Sequence, residues 1–408
     1  MWIGSTLAGL GGQLTVVTVM LHVFELTGST FAVSMVAVAG LAPMIIAGLY
    51  GGMLADAFDR RRLALLAAMI TWISTALLAA LTWMGLETVG WLYLLSVVNS
   101  AANSVGMATR TAIVPRLIPR ELLAAASALN GITIGIMVMV GPALAGVLVA
   151  ATGYGLTYTI DVVLMLAMFL GLWSLPSLRP EGTVIRPGLT SLVDGWRYLR
   201  RSANIRTQYL MDIIAMTFGQ PLTLFPALGT VLLGGGAITT GALTAAVAAG
   251  TFGSSLFSGR AGRYRWHGRG IERAIQVYGA AILAFGAILL VGTFLRPADQ
   301  DSPNLLLIAA ACLALAVSGG ADNISSIYRN TMMQAAVPDA MRGRLQGIFI
   351  VVVAGGPRLG ALYAGALASL TALWFPPLLG GILVIVLVTL LARRVPRFRD
   401  YDAEAPVA

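Results

Sequence analysis

The sequence has one cysteine, two histidines and no lysine. A single Cys excludes a disulfide framework and a cysteine metal site. The histidines, His22 and His267, lie far apart and have no metal-ligand spacing. All 26 basic residues are Arg, which we attribute to a GC-rich genome. Charged residues make up only 11% of the chain, against about 25% in ordinary soluble domains.

Apolar residues are abundant, at 58% of 408 positions, so the bilayer is the expected solvent. The net charge of +9 could suggest nucleic acid, but the arginines lie in short clusters between apolar runs. We therefore expect a lipid bilayer and a small-molecule substrate as partners, and no nucleic acid. No cleavable signal peptide is evident. The first apolar run starts almost at once, and we expect a short leader before this start.

Apolar runs of the length that crosses a bilayer, about 20 residues, recur along the chain. They predict an all-α membrane protein with twelve spans in two six-helix halves. The first six spans are placed near 2–26, 31–55, 63–84, 89–110, 125–150 and 156–175. The other six are placed near 207–233, 237–258, 271–295, 303–328, 345–370 and 373–392.

Arginine placement predicts the orientation, because cytoplasmic loops are enriched in basic residues. With these spans, 24 of the 26 arginines fall on one side, the exceptions being Arg296 and Arg358. Both termini are therefore expected in the cytoplasm of a bacterium, with the chain crossing the inner membrane many times. A miscounted span would destroy this alternation.

The spans divide the chain into an N-terminal bundle (1–175), a cytoplasmic linker (176–206), a C-terminal bundle (207–392) and a tail (393–408). Linker residues Leu189, Leu192, Val193, Trp196 and Leu199 have helical spacing, which predicts an amphipathic helix at the membrane surface or a solvated linker helix. The ends of spans four and ten repeat. Arg110 precedes Pro119 by nine positions, and Arg329 precedes Pro338 by nine. The match implies parallel six-span repeats.

A charged loop joins spans two and three. It reads Gly52-Met-Leu-Ala-Asp56-Ala-Phe-Asp59-Arg60-Arg61-Arg62. This segment resembles the loop signature of the major facilitator superfamily, with Ala57 and Asp59 departing from it. An aspartate here can meet a helix N-terminus or an arginine across the half interface and latch one state shut. A basic membrane anchor would explain the arginines but not Asp56. We assign the latch to Gly52, Asp56, Arg60, Arg61 and Arg110.

Span five carries small residues and a proline that partly resemble the motif of drug/proton antiporters. Small residues permit close helix packing, and proline kinks a span. Ordinary helix packing explains the pattern as well as the motif does. A similar but less regular pattern of glycines and a proline lies on span eleven. The helix-packing residues we assign are Gly141, Pro142, Gly146, Gly356 and Pro357.

Few charges lie within spans, and each is costly in lipid, so they should face a central cavity. For proton coupling we assign Asp322, Arg358 and Asp212. Asp322 and Arg358 either form a structural ion pair or act as a carboxylate that takes a proton when Arg358 releases it. Asp212 could instead pair with a loop arginine. The cavity candidates are Glu25, Asn99, Asn103, Asn130, Asp161, Asn323 and Arg329.

The resemblance extends beyond the superfamily. The run from Asn323 through Gln334 and Pro338 to Gly347 looks like the span-ten loop of the enterobactin (siderophore) exporters in the transmembrane secretion effector family. This likeness covers essentially the whole chain. It implies a non-enzymatic secondary transporter, drug/proton antiporter-like, that exports an amphipathic molecule such as a siderophore by proton antiport with alternating access. We expect this transporter to need no cofactor beyond the proton gradient and to act as a monomer. A multidrug/proton antiporter, a lipid flippase or a membrane sensor remain alternatives.

Overall fold

The computed structural model describes residues 2–119, 122–176, 196–256, 259, 264–295 and 303–404. These residues form helices, with one isolated bridge between Trp266 and Asp402. The longer helices of the first half are α1 (Trp2–Thr27), α2 (Thr30–Ala39), α3 (Leu41–Ala57), α4 (Arg60–Trp83), α5 (Val89–Leu117) and α6 (Leu123–Trp173). Those that follow are α7 (Ala203–Phe218), α8 (Gly236–Ser255), α9 (His267–Phe294), α10 (Leu305–Ala336), α11 (Asp339–Leu370) and α12 (Phe375–Arg394).

The described helices account for twelve membrane-crossing segments. Nine stretches among them are long and apolar enough to cross a membrane. One of these, Leu129–Trp173, is 45 residues long and holds two spans. Gly153 separates these two with a positive φ of 79°, which only glycine adopts easily. The helices α5 and α11, of 29 and 32 residues, are also long enough to cross.

The predicted spans differ from the helices at two places, and the predicted linker helix is described only in part. Span two is broken at Gly40 into α2 and α3. Span seven ends not as a regular helix but as short 3-10, α and π segments over 222–232. Residues 177–195 of the predicted linker helix lie outside the described part of the chain, while 196–201 are helical.

The chain separates into two compact units. The first comprises Met1–Arg186 with Gly236–Ala245, and the second comprises Pro187–Gly235 with Ala246–Ala408. The core of the first includes Leu14, Val17 and Ala145, where α1 packs on α6. The six-span repeat is visible at matching helix ends. Helices α5 and α10 end at Leu117 and Ala336, each two residues before a proline.

The tail after α12 folds back onto the start of α9 in the second unit. Phe398, in a short helix (Pro396–Arg399), is fully buried, and Arg265 holds the Asp402 carboxylate through two nitrogens at 2.9 and 2.5 Å. The Ala403 N–H donates to the Arg265 carbonyl at 3.0 Å. The hydrogen bond from Arg265 lowers the pKa of Asp402 below its ordinary value of 3.8. The tail is therefore anchored by both burial and charge.

Candidate functional site

A buried ion pair joins α7 to α10 in the second unit. Arg329 Nη1 donates to Asp212 Oδ1, and the two residues are only 7% and 3% exposed. Charges taken out of water need a partner, since a lone buried charge costs several kcal/mol. Asp212 is thus held by a helix-borne arginine, whereas the sequence suggested a loop arginine as one possible partner.

Asp322 is the third member of this cluster. Arg329 Nη2 lies 3.4 Å from Asp322 Oδ1, two turns away on the same face of α10. The Asp322 side chain is 39% exposed, unlike that of Asp212. The partner of Asp322 is therefore Arg329 rather than the expected Arg358. With both carboxylates ionised the cluster carries one net negative charge, and a proton on either makes it neutral.

Arg358 lies half-buried on α11 and makes contacts of its own. The glycines around it face α7, because a Cβ at Gly356 would come within 2.9 Å of the Met216 Cβ and one at Gly360 would come still closer to the Met216 carbonyl oxygen. Pro357 lies inside α11. The span-eleven residues therefore position Arg358 at a close crossing of α11 and α7.

Asn323 extends the polar face of α10 toward α8. Its amide nitrogen donates to Ser254 Oγ at 2.8 Å and Ser255 Oγ at 3.0 Å. These hydroxyls fix the amide next to Asp322. The sequence marked Asn323 but gave no reason to select either serine, because both lie on another helix.

Asp161 is the buried carboxylate of the first unit. It is 1% exposed, and its Oδ2 accepts from Thr15 Oγ1 on α1 at 2.5 Å. The other oxygen, Oδ1, has no hydrogen-bond partner among the described residues and lies against Gly11. A carboxylate with an unused oxygen can accept a proton or a donor group of a ligand.

A second polar cluster lies at the opposite end of α1 from Trp2. The His22 ring stacks on Tyr154 at 4.3 Å, and His22 Nε2 lies 3.9 Å from Glu87 Oε1. Tyr154 donates to Glu25 at 2.5 Å, and Tyr158 lies 3.3 Å from His22 Nδ1. The sequence pointed to Glu25 but missed the two tyrosines, although their spacing of four places them on one helix face.

The loop proposed as a latch is partly described. Asp59 caps α4 by accepting from the backbone of Arg61 at 2.9 Å, and the Arg61 side chain donates to the carbonyl of Trp173 at 2.8 Å. That carbonyl is at the end of α6, where a cation stabilises the helix dipole. The surroundings of Gly52 and the side chain of Asp56 lie outside the described part of the structure, and Arg60 follows the cap in the first turn of α4. The latch stays a prediction.

The remaining polar candidates make local contacts or point outward. Arg110 Nη2 lies 3.4 Å from Asn103 Oδ1 on the same helix. Asn99 donates to Thr75 Oγ1 at 3.3 Å, which ties α5 to α4. Asn130 is exposed. The first unit thus brings Arg110 and Asn103 together, while Asn99, one turn earlier on α5, bonds to α4 instead.

Gly141 and Gly146 lie where α6 meets other helices. A Cβ at Gly141 would lie 2.5 Å from the Gln13 Cβ of α1, and one at Gly146 would meet the backbone of Ala237 in α8. Pro142 lies between them inside α6, and its carbonyl faces Gly241. Both crossings require the absence of a side chain.

Among the described residues, no group of three or more His, Cys, Asp or Glu could hold a metal. The charged clusters are of the kind that moves protons or orients a polar substrate inside a membrane.

The full length of the chain matches a protein family. Residues 1–407 fit the profile of the transmembrane secretion effector family. The chain belongs to this family. Its members belong to the major facilitator superfamily, so the protein is a multi-pass membrane transporter and not an enzyme.

Enterobactin exporters are among the curated relatives of the chain. The chain is 28% identical to enterobactin exporter EntS of Escherichia coli O6:K15:H31, over 92% of this chain and 88% of that one. It is 29% identical to EntS of Citrobacter koseri, over 94% and 89% of the two chains.

Solved transporters share the fold. The nucleoside transporter NupG matches with a TM-score of 0.71 at 16% identity, over 96% of this chain and 97% of that one. The xylose transporter XylE of E. coli, in an inward open conformation, matches with a TM-score of 0.71 at 13% identity, over 98% and 97%. At such identities the likeness establishes the twelve-helix fold of two six-helix bundles.

Proposed function

We propose that the protein exports a small amphipathic acid of the siderophore class by exchanging it for protons. The observation that carries the proposal is the Asp212–Arg329–Asp322 cluster, in which one arginine serves two carboxylates. Such a cluster has two arrangements that differ by one proton. It therefore provides the kind of element that a secondary transporter can couple to a gradient.

The coupling step takes place at Asp322. Its carboxylate is more exposed than that of Asp212 and lies farther from Arg329, so it is the easier one to protonate. A proton arriving on Asp322 removes one of the two negative charges that face Arg329. The neutral carboxyl can no longer accept charge-assisted hydrogen bonds from the hydroxyl groups of the cargo, so the cargo is released as the proton binds. Loss of the proton restores the ionised Asp322 and its affinity for cargo, so proton and cargo alternate at one group, as antiport requires.

The cargo class is supported by the relatives and by the sites. The matched curated relatives are enterobactin exporters. Arg329 offers a positive charge that suits an acid, and the ionised Asp322 offers an acceptor for its hydroxyl groups. Arg110 occupies the matching repeat position in the first half, and both could attract an anion by electrostatics.

The proposal also includes alternating access and the location of the protein in the membrane. The Gly-x-Leu-Ala-Asp loop containing Gly52 and Asp56 supplies the latch for one state. The arginine distribution supports an inner-membrane location with both termini in the cytoplasm. We take the active unit to be a monomer, and the energy source to be the proton gradient with no bound cofactor.

The alternative is efflux of lipophilic cations, which Asp161 favours because its Oδ1 has no partner among the described residues. Accumulation assays in cells lacking the gene, complemented or not, decide between the two. We expect the deletion strain to retain an iron-chelating catechol acid and not a lipophilic cation. Retention of the cation alone would overturn the siderophore proposal in favour of multidrug efflux.

A further inference from the structure

A basic cavity of about 220 Å³ lies at the tail end of the second unit, between α9 and α12. Four arginines line it, two from α9, one from α12 and one from the tail: Arg269, Arg273, Arg393 and Arg399. A neighbouring cavity of about 440 Å³ shares three of these arginines. The proposed transport cycle uses none of them.

The arginines are not fully neutralised by the acids beside them. Arg399 Nε donates to the buried Glu272 at 2.8 Å, and Arg269 Nη2 donates to Asp400 at 2.7 Å. Arg273 and Arg393 have no ion pair or hydrogen bond from their side chains among the described residues. The cavity is therefore lined by two uncompensated positive charges, one from α9 and one from α12.

The floor of the cavity is polar. Gln276 Nε2 donates to Thr389 Oγ1 at 2.9 Å, and this fixes the threonine hydroxyl between α9 and α12. The hydroxyl has no acceptor for its own proton among the described residues. Two guanidinium groups and a hydroxyl donor around one small volume match the oxygens of a phosphate group.

The surroundings indicate a lipid rather than a free anion as the source of that phosphate. The cavity is built from the first turns of α9 and the last turns of α12, where a spanning helix meets the membrane surface. Val277, Val386 and Leu390 expose apolar side chains within a few residues of Gln276 and Thr389. A phospholipid can place its phosphate among the arginines and its acyl chains along these residues.

We propose that this cavity binds the headgroup phosphate of an anionic phospholipid. Because Arg399 and Asp400 belong to the tail, a bound lipid contacts the docked tail as well as the two helices. The proposal does not depend on the transported cargo, so its failure would leave the proposed export function intact.

The test uses the purified full-length protein in mass spectrometry with defined lipids. We expect phosphatidylglycerol to bind more tightly than phosphatidylcholine to the unaltered protein. The double variant Arg273→Gln/Arg393→Gln should lose about 25-fold in phosphatidylglycerol affinity, since each interfacial arginine contributes roughly fivefold. The control is Arg394→Gln/Arg397→Gln, which removes two exposed arginines at the same end that do not line the cavity.

The control variant should keep most of the affinity, and melting temperatures in phosphatidylcholine should show that both variants fold. Equal loss in the two variants would reduce the effect to general surface charge and overturn the proposal. Unchanged affinity in Arg273→Gln/Arg393→Gln would overturn it too. A third arm adds inorganic phosphate. Displacement of the lipid by millimolar phosphate would assign the site to a soluble anion instead.

Discussion

Arg329 on α10 donates to Asp212 on α7, 117 positions earlier in the chain. Both side chains are almost fully buried, whereas Asp322, the second carboxylate on the same guanidinium, is partly exposed. The two aspartates are thus unequal partners of one arginine. Asp212 holds the arginine in place, and Asp322 is able to change its charge.

Asp212→Asn should destabilise the protein strongly. It breaks a buried ion pair and leaves the guanidinium only the longer contact with the partly exposed Asp322, and breaking a buried pair typically costs about 3–5 kcal/mol. Asp322→Asn should cost much less, because that carboxylate is 39% exposed and 3.4 Å from the arginine. Thermal unfolding of the two purified variants in one detergent measures the difference.

The apolar double variant Asp212→Leu/Arg329→Met is the matched control for that experiment. Replacing both members of a buried pair is often neutral or stabilising. It should therefore recover most of the melting temperature. Equal melting temperatures for Asp212→Asn and Asp322→Asn would contradict the unequal roles.

Gly146→Ala should weaken the packing of α6 on α8. The new Cβ would meet the backbone of Ala237, which cannot turn away as a side chain can. Overpacking of this kind costs about 1–3 kcal/mol. Gly131→Ala, on the same helix, is the control because nothing lies within 4 Å of its added Cβ. A melting temperature for Gly146→Ala that is no lower than that for Gly131→Ala would contradict this account.

Asp56→Asn should slow transport while leaving insertion and folding intact, since a charge-assisted contact made in one state contributes about 1.5–3 kcal/mol. Asp59→Asn is the control. Asparagine caps helices as well as aspartate does, so α4 should keep its N-cap while a neighbouring loop charge is lost. Transport rates in proteoliposomes compare the two. If Asp59→Asn slows transport as much as Asp56→Asn, the loop acts through its total charge and not through a latch.

Docking of the tail should resist mild acid. The pKa of Asp402 lies below 3.8 because Arg265 bonds the ionised form, so its contribution is present above that value and disappears only as the pH falls through the lowered pKa. A nitroxide at position 404, introduced as Glu404→Cys with Cys312→Ser, should stay immobile from pH 8 to pH 5. Asp402→Asn should mobilise it throughout this range. Release of the label near pH 6 in otherwise unaltered protein would show that another group controls the tail.

The sequence was sufficient for the fold because periodic apolar runs and alternating arginines depend on the bilayer alone. The glycines at 141 and 146 could be selected as packing residues because only small residues allow close crossings. The break at Gly40 and the irregular end of span seven were not predicted. Pro43 follows the first and Pro221 and Pro226 lie in the second, but glycine and proline also occur inside regular membrane helices, so these residues alone do not mark a break.

The charged residues could be selected from the sequence, but their pairing could not. Asp212, Asp322, Arg329 and Arg358 all stand out as charges within apolar spans. Which arginine meets which aspartate depends on the rotation of α7, α10 and α11 about their axes. The similar depth of Asp322 and Arg358 in the membrane favoured Arg358 as the partner of Asp322. In the structure the partner is Arg329, which lies on the same face of α10 as Asp322. The arginine cavity was equally hidden, because its residues come from two helices and a tail.

Proton-driven accumulation in proteoliposomes tests the central claim most directly. Unaltered protein in acid-inside vesicles should accumulate an iron-chelating catechol acid against its gradient, as protons leave. Asp322→Asn should still exchange external for internal cargo at equal concentration, yet fail to accumulate it when the pH gradient is imposed. Accumulation by Asp322→Asn equal to that of the unaltered protein would contradict the assignment of proton coupling to the Asp212–Arg329–Asp322 cluster.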